Sequence, residues 1–296
     1  MGTLIAVKYP TKLFLKFFDH TYVMCSTGAV RWKCWGGDQG GTQFKSGPAS
    51  TIRAGKIAQP NGKAGIACYL INGVCHQAAN RILMPAEVTV AGARGYWVST
   101  SLFGLYGRST GVGPLCESPF NEYLGVTGDL PPCVGPADAV NSPAHSEDDD
   151  PRHRAFVEEV RRLYRLTSET PVTRPFDVRE FQLAVFEPLV RYRLGEAFMN
   201  TRSWAGLRAL RDSVEQARFP VELAVTAGDM DSDTFVTAIN HLAVGFQMNT
   251  LELIGPVHYK RLFDLDPGDT VEIGDPEIAR EVYGLRRDDG ETFTDS

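Results

Sequence analysis

The hydrophobic rhythm of the chain changes near its middle. Over residues 11–25, TKLFLKFFDHTYVMC, aromatic and β-branched residues dominate. Phe14, Phe18, His20, Tyr22 and Met24 share one parity, which predicts one or two strands with those side chains on one face. A turn at Ser26-Thr27-Gly28 and a returning strand over 30–35, with Val30, Trp32 and Cys34 on one face, complete a hairpin. Residues 36–48 read as a glycine-rich loop, 50–57 as a short strand and 66–71 as a short buried segment. Asn72-Gly73 then leads to Cys75 and a helix carrying Ala78, Ala79, Ile82 and Leu83, which Pro85 stops. Further strands are expected over 87–91 and 96–100, with a helical turn over 101–106.

Past residue 151 apolar residues recur at helical spacing. Helices are predicted over 152–166, over 178–198 with Asp177 as cap and a kink at Pro188, and from Ser203 to about 217. Another runs from Asp233, capped by Asp231 or Ser232, to about 248, and a last one over 276–283. A short strand is expected over 270–273. Between the halves, 135–150 is rich in Gly, Pro, Ser and Asp and reads as a linker. The pattern therefore predicts an α+β chain, with a sheet-containing domain over 1–145 and a mainly α-helical domain over 151–296. The helical part carries no chemical motif; its expected uses are a lid, a docking surface for other proteins or an oligomer interface.

Composition narrows the function classes. The 296 residues are 43% hydrophobic and 22% charged, ordinary for a globular protein, and the net charge of -6 argues against a nucleic-acid binder. No apolar run reaches the length of a membrane span. The first twenty residues are interrupted by Lys8, Pro10, Lys12 and Lys16, unlike a cleaved leader, so a cytoplasmic location is expected, with signal-independent export left open. None of the six cysteines forms a C-x-x-C pair, which points to reduced thiols. The glycine spacing fits neither a dinucleotide nor a phosphate loop, and no cofactor is expected.

The chemistry centres on Cys75. A thiol in the first turn of a helix meets unpaired backbone N–H groups and the positive end of the helix dipole, which favour a thiolate and can hold an oxyanion. A base must accompany it. His145 lies in the acidic linker, His153 opens an exposed helix, and His241 and His258 belong to the helical half. His76 is adjacent, but neighbouring helical side chains diverge by about 100°. His20, on a strand upstream, is left as the base. Trp32 and Trp35 are candidates to clamp a peptide or sugar.

His20-Thr21-Tyr22-Val23 on a strand, a return through Val30-Arg31-Trp32, and Gly73-Val74-Cys75 leading a helix resemble the circularly permuted branch of the NlpC/P60 (papain-like) superfamily, which includes YiiX-like and lecithin retinol acyltransferase-like proteins. The resemblance covers about the first half of the chain. It implies a permuted papain-like domain, with an antiparallel sheet and a nucleophile helix, that cleaves or transfers an amide or ester acyl group through a thioester. It implies Cys75 as nucleophile, His20 as base, and a polar residue after the next strand to orient the base: Asp38, ahead of Asp19 and Gln43. The Cys75 N–H, with Asn72 or Gln77, would hold the oxyanion. The acyltransferases carry Asn-Cys-Glu-His-Phe where this chain has Gly73-Val74-Cys75-His76-Gln77, so the peptide-like or acyl substrate stays open. Two alternatives stand beside this reading. One is a zinc site from His20, Cys25, Cys34 and His76, whose spacings do not match compact zinc modules. The other is a non-catalytic binding module using Arg94, Tyr96, Trp97, Tyr106 and Arg108 as an aromatic-basic wall.

Overall fold

The computed structural model describes residues 2–11, 18–26, 30–32, 35–58, 64–66, 68–108, 150–169 and 178–284. These build an α+β fold. Strands β1 (Gly2–Pro10), β2 (Asp19–Cys25), β3 (Arg31–Trp32) and β4 (Thr42–Ala49) form an antiparallel sheet in the order β3-β2-β1-β4. The central strand, β1, was not among the predicted elements. Its Leu-Ile-Ala-Val run is covered on both faces, so it lacks the alternation that marks a half-exposed strand. Leu4 and Ala6 join Val23 in the main core, while Ile5 and Val7 join Tyr22 in a small cluster on the other face. β4 is the second half of the stretch expected to be a glycine-rich loop.

Helix α1 (Thr51–Ala58) replaces the strand expected over 50–57, and the Arg53 N–H donates to Ser50 Oγ at its start. Helix α2 spans Cys75–Leu83 and continues as a 3-10 turn over Met84–Ala86, where Pro85 was expected to stop it. Residues 87–91 are irregular rather than a strand; the Val90 N–H donates to Asn80 Oδ1. Helix α3 (Tyr96–Phe103) stands where a strand was expected. All eight of its residues are buried, so no polar face reveals a period. The proposed aromatic-basic wall dissolves with it: Tyr96, Trp97, Tyr106 and Arg108 are core residues, and only Arg94 of the five is exposed.

The later helices are α4 (Pro151–Glu169), α5 (Val178–Leu194), α6 (Glu196–Met199), α7 (Arg202–Ala227), α8 (Ser232–Phe263) and α9 (Pro276–Tyr283). α5 runs through Pro188, and the break comes at Gly195, whose φ is 91°. α7 is capped by Thr201 rather than Ser203 and continues through Pro220; α8 is capped by Asp231, as expected, and breaks at Gly255. His153 is not exposed; its ring packs among Trp97, Phe156 and Tyr192. No described helix is long and apolar enough to cross a membrane.

The two stretches read as domains share one buried cluster, from Leu4 to Ala279. A run of buried charges crosses the contact. Arg108 pairs with Glu215 and Glu222 at 2.6 Å each, and Arg211 pairs with Glu215 at 2.6 Å. Burial alone would raise the Glu215 carboxyl, but Arg211, Arg108 and Arg218 hold it down to about 2.

Candidate active site

The turn before α2 is shaped by local hydrogen bonds and tied to the segment 104–108 by longer ones. The N–H groups of Ile71 and Asn72 donate to the Cys68 carbonyl, and the Leu70 N–H donates to Gly73 O. Asn72 Oδ1 accepts from the Cys68 N–H, and its Nδ2 donates to Arg108 O. Gln77 Oε1 accepts from the Val74 N–H at 3.1 Å, closing the helix start, while its Nε2 donates to Gly104 O. Cys75 is thereby fixed as the first residue of α2, as predicted. The side chains of Asn72 and Gln77, offered above as oxyanion donors, serve this turn instead, and neither lines the cavity beside Cys75.

His20 lies on the other face of β2. It pairs across the ladder with Tyr9, their ring centroids 4.9 Å apart, on the side that carries Tyr22. Thr21 points to the opposite face, toward α2, and its N–H and hydroxyl lie against the Cys75 sulfur. That buried hydroxyl has no conventional hydrogen-bond partner among the described residues. The segment after Trp35 closes over the His20 ring. A Cβ at Gly36 would stand 2.7 Å from His20 Cε1, and the Gly36 φ of 85° suits only glycine, so no other residue fits here. His20 Nε2 lies 3.1 Å from the Gly37 carbonyl. A carbonyl only accepts, so Nε2 carries a hydrogen, and in the neutral ring Nδ1 is the basic nitrogen.

His20 and Cys75 approach from opposite faces of β2 but line one cavity of about 80 Å³ at the strand's start, with Thr11, Phe18 and Tyr69. The space suits a few waters or one small reacting group. Its far wall is an extended strap, 272–276, from the C-terminal stretch. This strap covers part of the strand expected over 270–273, but its partners are helix side chains. Gln247 bonds both the N–H and the carbonyl of Val271, and Asn240 does the same for Gly274 while also accepting from the Ile273 N–H. Gly274 fits because a Cβ there would stand 2.7 Å from Leu70 Cδ1. The Asp275 N–H donates to the Tyr69 hydroxyl at 2.8 Å. Glu272 and Asp275 are the carboxyl groups among the described residues lining the cavity, and burial raises both.

Electrostatics at Cys75 run against the sequence expectation. Burial pushes the thiol up to about 12, although Thr21 and the N–H groups of His76 and Cys75 pull it down. A helix N-terminus is worth about 0.3–1 kcal/mol, whereas full burial shifts an ionisable group by up to about 3–5 units. Desolvation wins, and the resting sulfur is a neutral thiol. His76 is likewise neutral: burial lowers it to about 3, and its Nε2 donates to the Asp19 carbonyl at 2.9 Å.

Asp38 does not line the cavity. Its backbone carbonyl accepts from Arg31, and the group that holds His20 is the carbonyl of the preceding Gly37. Asp19 is engaged by the Arg94 N–H and by Lys8, and Gln43 is exposed on β4. Trp35 is buried against Tyr69, with ring centroids 5.7 Å apart, and is not a wall of the cavity. Of the suggested zinc ligands, Cys34 lies outside the described residues, and no group of three or more His, Cys, Asp or Glu placed to hold a metal occurs among those described. Sequence reasoning missed Thr21, Tyr69 and the strap. Thr21 directly follows His20, which was the one available hint; the strap joins the site from two hundred residues away. Comparisons with protein-family models, curated proteins and solved structures found nothing that matches this chain.

Proposed function

We propose that the protein is a cysteine-dependent hydrolase or acyl/amide transferase acting on an amide or ester bond through a thioester at Cys75. The observation that carries this reading is the shared cavity: a cysteine at the first position of a helix and a strand histidine with a basic Nδ1 both line it. Strand histidine before nucleophile helix is also the order expected of the permuted papain-like branch.

Because the resting thiol is neutral, the proton leaves as the bond forms rather than beforehand. His20 Nδ1 takes the proton from Cys75 Sγ while Sγ attacks the carbonyl carbon, and the electron pair of the C=O bond moves onto oxygen. The Cys75 N–H and the Tyr69 hydroxyl donate to that oxyanion; the Tyr69 oxygen already accepts from Asp275, which orients its hydrogen. The intermediate collapses, the His20 imidazolium protonates the departing amine or alcohol, and the thioester remains. Water or an amine or alcohol acceptor, deprotonated by His20, then releases the acyl group and restores the thiol. Gly37 O keeps the ring in the required tautomer throughout.

The test uses p-nitrophenyl acetate as probe. The intact protein is expected to release a burst of p-nitrophenol approaching one equivalent and to carry an added acetyl mass on the Cys75 peptide. Cys75→Ala abolishes both, and His20→Gln slows the burst by about 10²–10⁴-fold, the usual worth of a general base. An undiminished burst in Cys75→Ala, or acetyl only on other residues, refutes the reading.

A further inference from the structure

Four charged residues of α7, Arg211, Glu215, Arg218 and Glu222, fall on one helix face, and all are at most 2% exposed. With Arg108 they carry three positive and two negative charges away from solvent. Such a cluster is a poor way to gain stability, since well-packed apolar side chains of similar volume do as well or better. Its geometry has a different use. The guanidinium of Arg218 donates to Leu70 O at 2.9 Å and to Leu102 O at 3.2 Å. Arg108 is tied by its backbone to Asn72 in both directions: its N–H donates to Asn72 O at 2.6 Å, and its carbonyl accepts from Asn72 Nδ2. Glu222 receives both arginines, at 3.1 Å from Arg218 and 2.6 Å from Arg108. The turn that delivers Cys75 is therefore gripped at Leu70 and Asn72 by one carboxylate-centred fork. Leu70 sits at a φ of 61°, a conformation that a non-glycine residue holds only under external restraint.

We infer that Arg218, Arg108 and Glu222 are positioning residues for the nucleophile, and that the C-terminal helices are a working part of the active site. The inference rests on the thioester reading of Cys75 and adds to it a role for α7. An apolar contact would exclude water from this place but would not hold two peptide carbonyls in a fixed direction. A misplacement of about 1 Å at the sulfur costs on the order of a hundredfold in rate.

The experiment measures burst rate and burst amplitude separately with p-nitrophenyl acetate, since amplitude counts competent sites and rate reports the chemical step. Arg218→Lys keeps the charge but cannot fork to both carbonyls. The double variant Arg218→Met/Glu222→Met removes one charge of each sign and keeps the cluster's net charge. Both are expected to retain at least half the amplitude while the burst rate falls by about 10–100-fold, with an unchanged pH profile. Arg179→Lys, on α5 and paired with Asp212 at the surface of α7, leaves the rate unaltered. Folded variants that acylate at the parental rate overturn the inference. Hydrogen exchange in the unaltered protein provides a second, independent reading: the Ile71 and Asn72 amides should exchange only through global unfolding, and exchange through local opening of the turn also overturns it. Loss of the Cys75 acetyl mass from the parent protein would instead refute the thioester reading, so the two failures are distinguishable.

Discussion

At Cys75 two familiar influences oppose each other, and their sizes decide the resting state. With its thiol raised to about 12 from an ordinary value of 9.0, the sulfur is about a thousandfold less ionised at neutral pH than an unperturbed cysteine. Native protein at pH 7 should therefore react with iodoacetamide about a thousandfold more slowly at Cys75 than urea-unfolded protein does, as followed by mass-resolved labelling. Faster labelling of the native state would mean a thiolate–imidazolium pair and a different order of proton transfer. His76 gives a second prediction. Its folded value of about 3 lies below the ordinary 6.5, so its contribution is complete above pH 6.5 and is lost as the pH falls toward 3. Full expression of that shift amounts to about 5 kcal/mol. Glu215 acts in the same direction, but only below its ordinary 4.5. Above pH 4.5 Glu215 adds nothing, while Glu272 and Asp275, raised by burial, act in the opposite sense. The histidine is therefore read as the difference between parent and variant, and His76→Gln should flatten the decline of the urea midpoint between pH 6.5 and 4.5. The place of Cys75 at the start of a helix was legible from Asn72-Gly73 and the helical spacing that follows. The neutral state of its thiol was not, because burial comes from elements distant in sequence.

At the level of elements, legibility followed the exposure of one face. α4 and α9 were readable to within a few residues because a polar face marks their period, whereas α3 and β1, buried all round, were misread or missed. The strap beside the cavity shows a subtler failure. Extension over 270–273 was legible; the partner was not, since no strand supplies it. Asn240 and Gln247, seven residues apart on α8, are separated by about 10 Å of helix rise, close to the length of three extended residues. Their amides therefore act as one edge of a ladder. Asn240→Ala removes bonds to two N–H groups and one carbonyl at buried positions, so we expect about 2–4 kcal/mol of destabilisation in urea melts. The same change should loosen the cavity wall and raise KM more than it lowers kcat, while a purely global effect would leave KM unmoved. The strap also supplies charge. Glu272 and Asp275 line the cavity, with no lysine or arginine among the described residues that line it. Nitrophenyl esters of a cationic acyl group should be preferred over isosteric anionic ones in kcat/KM, and Glu272→Gln/Asp275→Asn should erase the difference; equal rates in the parent protein would exclude a selective role for the strap.

Over the whole molecule, the change of rhythm near residue 150 marks a change of secondary structure, with the sheet before it and the long helices after it. The core does not follow that division. Trp97 of α3 is surrounded by His153, Phe156 and Tyr192, and Arg108 finds its counter-charges on α7. A lone arginine after a glycine-rich helix end and two glutamates seven residues apart, more than a hundred positions later, form no pattern that a sequence reading can join. Their pairing has a consequence for autonomy. A chain ending at residue 145 would expose the apolar surface of α3 and leave Arg108 without Glu215 and Glu222 of α7; removing the partners of a buried charge costs about 3–5 kcal/mol, a large part of the stability of an ordinary domain. We therefore expect residues 1–145 expressed alone to lack a cooperative urea transition. The full chain should unfold in one transition, with the p-nitrophenyl acetate burst lost at the same urea concentration as the helical signal. Two separated transitions, with the burst surviving the first, would show that the sheet-bearing half folds and works without α7. Coincidence of the three curves would tie the fold of the helices to the competence of Cys75.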